Sequence, residues 1–127
     1  MGKKVDDSIL DAALNEIKNK CNLMTACAGE PVNFVAANVG GANFLADVAM
    51  TGTDFTVSNG DVNGRKVAVA GKSGITVDNT GTADHVALLD TVGSVLLYVT
   101  TSTALGLTSG SSLTLGAWDI EIADPSL

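Results

Sequence analysis

Apolar residues recur along the first twenty positions at the spacing of one helical face. Ile9, Leu10, Ala13, Leu14, Ile17 and then Cys21 follow the i, i+3/i+4 rule. Asp6 and Asp7 stand at the start, where a cap and the positive end of the helix dipole favour acid. Lys18 and Lys20 stand at the end, where the dipole favours base. The spacing predicts a helix over 6–20 with a narrow apolar stripe. That stripe needs cover, from the chain's own β-domain or from a neighbouring subunit. Ile9, Leu10, Leu14 and Ile17 are therefore candidate docking residues.

Past residue 20 the period shortens. "CNLMTACAGEP" reads as a strand with Cys21, Leu23, Thr25 and Cys27 on one face, stopped by Gly29 and Pro31. "FVAAN" has room for one helical turn before Gly40 and Gly41, and "FLADVAMT" reads as a strand or a short helix. From Thr53 on, apolar and Thr-rich runs recur: "DFTVS", "RKVAVAG", "GITVD", "DHVALLD", "SVLLYVTTS", "SLTLG" and "WDIEI". Turn-forming clusters such as "SNGD", "GKSG", "NTG" and "TSGSS" separate them. Val67 and Val69 alternate with Lys66 and Ala68, and Ile120 and Ile122 with Asp119 and Glu121, so one face is buried and one is wet. "SVLLYVTTS" is apolar on both faces, which predicts a central strand or one covered by a partner. The fold class expected is mainly β: an antiparallel β-sandwich or barrel with one N-terminal α-helix. A single domain over 1–127 is expected, with the helix in 1–20, a mixed strand and loop segment in 21–52 and the sandwich in 53–127.

Composition narrows the function. Apolar residues make up 46% of the 127 residues, enough for a core without metal or disulfide staples. Aromatics are few (Phe34, Phe44, Phe55, Tyr98, Trp118), which speaks against base stacking and sugar platforms. The net charge is −7, and no Lys or Arg follows Lys72. A phosphate backbone is repelled by such a surface, so nucleic acid is not an expected partner. No apolar run has the length of a membrane span, and "MGKKVDDSIL" lacks the apolar core of a signal peptide. A soluble chain made in the cytoplasm, with no membrane partner, is expected.

Candidate chemistry is sparse. His85 is the one histidine, set among Asp78, Asp84 and Asp90. Strand alternation places Asp84 with Val86 and Leu88, and His85 on the other face with Ala87 and Leu89. No "GxSxG" elbow presents a nucleophile, and one histidine is too few for a common zinc site. His85 is therefore expected to be a structural strand residue. "DNTGTAD" and "SNGDVNG" have the residues of calcium loops but not the EF-hand pattern, and they read as turns. "NVGGAN" is neither "GxGxxG" nor "GxxxxGK[ST]". Asp119 with Glu121, or Glu16 with Glu30, does not stand out as a glycosidase pair. No catalytic, metal or cofactor site is expected, and the chain reads as a non-enzyme.

Cys21 and Cys27 lie roughly 20 Å apart in an extended segment at ~3.3 Å per residue. A disulfide needs Cα atoms within about 7 Å. Buried thiols are expected, and a bridge to another subunit is the alternative.

Four pieces carry a likeness to known proteins: "LDAALNEIKNKCNLMTAC" running into "AGEP", "NGRKVAVA", "TADHVALLD" with "SVLLYV", and "TLGAWDIEIADP". Together they span most of the chain. The chain resembles a family of small bacteriophage virion proteins encoded beside the head genes and taken to be capsid decoration or cement proteins. The resemblance implies a virion location on the capsid surface and the major capsid protein as partner. It also implies self-association into a homo-oligomer, with a trimer as the expected form. A neck, collar or tail component, or a receptor- or glycan-binding virion module, is the alternative role.

Overall fold

The computed structural model describes residues 4–125. Asp6 caps the N-terminal helix: its carboxylate accepts from Ser8 N at 3.0 Å and also from the Ser8 hydroxyl. The helix, α1, runs Asp7–Lys20. Two strands and a helical turn follow: β1 (Leu23–Cys27), α2 (Phe34–Ala37) and β2 (Phe44–Ala49). "FVAA" forms the expected single turn, capped by Asn33 Oδ1 accepting from Ala36 N at 2.9 Å. "FLADVA" is a strand. The seven runs expected beyond Thr53 are all strands. In order they are β3 (Phe55–Asn59), β4 (Arg65–Val69), β5 (Lys72–Thr76), β6 (Gly81–Asp90), β7 (Val95–Leu107), β8 (Ser112–Leu115) and β9 (Trp118–Ile122). The chain is mainly β, with antiparallel sheets in a sandwich-like arrangement and one N-terminal helix.

Two compact units share these elements, and the 53–127 stretch contributes strands to both. One holds α1 and the three-stranded antiparallel sheet β3-β4-β9. Val67, Val69, Phe55 and Ile120 are its buried side chains on the sheet, as alternation predicts. Asp11, Leu14 and Lys18 share one face of α1. Asp11 meets Arg65 of β4 at 2.7 Å, and Lys18 Nζ donates to Phe55 O at 3.0 Å. Leu14, between them, has no exposed surface. Across the strands, Lys66 joins Asp61 at 2.7 Å and Asp119 at 3.4 Å.

The other unit is built on the four-stranded sheet β2-β1-β6-β7. One face of that sheet packs on the two-stranded sheet β5-β8. Ala26, Leu45, Ala46, Ala83 and Leu107 meet Ile75 and Leu113 there, all buried. The opposite face is covered by α2, with Cys27, Ala87 and Leu89 packed around Ala37 and Phe34. β1 and β6 sit in the middle of the sheet, which is why "VALL" is buried without a break. β7 is a different case. Its sequence predicted a central strand or one covered by a partner; the strand is not central but closes the sheet as an edge, and Thr101–Gly106 are exposed.

Candidate functional site

Three titratable groups of the second unit, Cys27, Asp84 and His85, gather where β1 and β6 run side by side. Cys27 pairs with His85 in register, so the two side chains leave the same face of the sheet. Asp84 is next in the chain and was expected on the opposite face. The ladder to β7 is irregular there, with the extra residues of the slip on β7 between Thr101 and Leu105. The Asp84 carboxylate reaches His85, with Oδ1 to Nδ1 at 2.8 Å. The same oxygen accepts from Gly29 N at 2.7 Å.

A thiol, an imidazole and a carboxylate thus share one corner, the residue types of a cysteine nucleophile with its base. The thiol of this corner is not presented to solvent. Cys27 is wholly buried, its sulfur lies 3.5 Å from Thr25 Oγ1, and burial pushes the thiol up from its ordinary value of 9.0. A reactive cysteine needs the opposite: a thiolate reachable from solvent. Asp84 is held below the usual carboxylate value of 3.8, first by the hydrogen bond to His85 and then by the one from Gly29. Its task is to pin the turn after β1. Gly29 has φ +79°, a conformation that side chains other than glycine rarely adopt. Asn43 holds the other side of that turn: Nδ2 donates to Ala28 O at 2.8 Å, and Ala28 N donates to Asn43 O at 2.9 Å.

Asp47 on β2 lies near Asp78. Burial first, and the Asp78 carboxyl second, hold Asp47 above its ordinary value of 3.8. Among the described residues no three His, Cys, Asp or Glu side chains are grouped to hold a metal, and no helix is long and apolar enough to cross a membrane.

The surface of this unit is more distinctive than its buried groups. An open depression of about 670 Å³ lies between the α2 segment and the start of β7, lined by Val32, Phe34, Val35, Val95 and Leu96 with Asn33 and Ser94. Val32 is 86% exposed and Val35 72%. Neither Pro31–Ala46 nor Thr91–Trp118 contains an ionised side chain, so this surface is uncharged on a chain of net charge −7.

The sequence-predicted docking residues separate. Leu10 and Leu14 are buried, Ile17 is half-buried and Ile9 is 63% exposed. Cys21 and Cys27 are both buried thiols, with no disulfide between them. Sequence reasoning missed the Cys27–His85 pairing, the Asp47–Asp78 pair and the depression. Pairing register carries no local signal. The uncharged runs Pro31–Ala46 and Thr91–Trp118 were the one trace of the depression that the sequence held. Compared with known proteins, the chain matches no family model, no curated protein and no solved structure.

Proposed function

We propose that this chain is a non-enzymatic bacteriophage virion protein, a decoration protein that binds the major capsid protein on the head exterior and reinforces the shell. The observation that carries the reading is the ordered likeness of four segments to that family. Two of those segments meet in one hydrogen-bond network: "AGEP" forms the turn that Asp84 of "TADHVALLD" pins through Gly29. The acidic surface suits a site facing solvent rather than packaged DNA. Exposed valines on an uncharged face supply contact area without demanding a charged partner. Many weak contacts made only on the assembled lattice stabilise that lattice by mass action.

The test is binding to particles that lack the protein. Purified chain is added to such heads, which are then sedimented and challenged by heat or chelator. Saturable co-sedimentation and a higher disruption temperature are expected. Heads that neither retain the protein nor gain stability contradict the reading, and retention only at the neck or tail moves the protein there.

A further inference from the structure

β7 is a thirteen-residue edge strand with no charge and no proline. Proteins ordinarily protect such edges with charge, proline or a covering loop, because an open row of N–H and C=O groups invites another strand. The other end of this sheet is covered: Val77 bridges Ala46 beside β2, and Asp78 N and Asn79 N donate to Leu45 O. Among the described residues, no loop backbone hydrogen-bonds to Val99–Gly106. We propose that β7 pairs antiparallel with β7 of a second copy of this chain, about a two-fold axis at Thr100.

Three observations choose a second copy and this register. The first is charge. Two chains of net charge −7 repel one another, and the uncharged stretch Thr91–Trp118 is a face on which they can approach. The second is the placement of the slips in β7. Against β6 it slips between Leu96 and Tyr98, and again between Thr101 and Leu105. Those irregular stretches centre on Leu97 and Thr103, equally far from Thr100 on either side. An antiparallel partner centred on Thr100 sets each irregular stretch against the other and leaves Val99–Thr101 regular. The third is apolar exposure. Val95 (45% exposed) and Leu105 (51%) are the β7 residues with large exposed apolar side chains, and they stand five positions either side of Thr100. Leu105 pairs with Ala83 on the face toward β5-β8, and Val95 pairs with Asp90 at the rim of the depression. A two-fold axis normal to the sheet puts position 95 of each copy level with position 105 of the other, so the two exposed apolar side chains meet at the same contact. Such a contact is isologous and closes at two copies. It stands without the capsid reading, since it concerns the protein alone in solution.

Analytical ultracentrifugation of the full chain over a concentration series tests it. A reversible two-copy species is expected, strengthened by added salt as the like charges are screened. Thr101→Lys places a charge beside the axis and should remove the dimer, whereas Val62→Lys, on a fully exposed turn of the other unit, should leave it. Thr100→Cys should cross-link to itself under mild oxidation, because its Cα lies roughly 4.5–5.5 Å from its mate across an antiparallel pair. A monomer at every concentration, a three-copy species, or a dimer that Thr101→Lys leaves intact overturns the proposal. If Thr101→Lys fails to fold, Thr100→Cys decides: absence of the cross-link overturns it.

Discussion

Asp84 joins the one histidine, His85, to the turn after β1. The carboxylate spends its oxygen on Gly29 N and on the imidazole, and both bonds lower its pKa. A depressed pKa stabilises the fold above the carboxylate's unfolded value, and that contribution is lost as pH falls through the folded value. Asp84→Ala is therefore expected to lower the melting temperature at pH 7, with the difference from the parent shrinking as pH falls through the lowered folded value and the parent's carboxylate protonates. His85→Gln should have the smaller effect, since the Gly29 bond survives. A larger loss from His85→Gln than from Asp84→Ala, by thermal scans across pH, contradicts this assignment. Asp47 carries the opposite sign. Its raised pKa favours the neutral form, so its stabilising contribution is present in acid and fades as pH rises through the folded value. Asp47→Asn is expected to raise the melting temperature at neutral pH and leave it unchanged well below 3.8, the ordinary carboxylate value.

Among the elements, α1 and its sheet give the clearest energetic contrast. Leu14 has no exposed surface and lies between two anchoring contacts. Leu14→Ala should cost about 2–5 kcal/mol by loss of apolar burial and the cavity left behind. Ile9→Ala should change stability by no more than about 0.5 kcal/mol, as exposed positions do. Chemical denaturation of both variants measures the contrast, and equal losses contradict the packing described. These elements were legible in the sequence because their signals are local. The helix announced itself through Leu10, Leu14 and its charged ends, and β4 and β9 through alternation at Val67, Val69 and Ile120. The partners were not legible. β5 pairs with β8 across three dozen residues of chain, and the contact of Asp84 with its neighbour His85 does not follow from alternation. Nothing in "SVLLYVTTS" says that a strand apolar on both faces sits at an edge, because that depends on which strand has no further neighbour.

At the scale of the whole molecule, the surface decides which contacts with other subunits are available. Buried thiols make subunit contacts by disulfide unavailable without opening the fold, since Cys21 is 4% exposed and Cys27 not at all. Non-reducing gels of purified particles should thus show the monomer band alone, with alkylation of either thiol only after unfolding. A ladder that collapses on reduction contradicts the buried-thiol account. The depression was legible in the sequence only as two uncharged runs, Pro31–Ala46 and Thr91–Trp118. The uncharged valine-rich face emerged when folding brought Pro31–Ala46 beside the start of β7. The most direct test of the decoration role is the molar ratio of this chain to the major capsid protein in purified virions, by quantitative mass spectrometry. The account predicts a fixed ratio on the scale of the capsid lattice, with copies spread over the whole shell. A ratio corresponding to one ring of subunits per particle, or no copies at all, contradicts it.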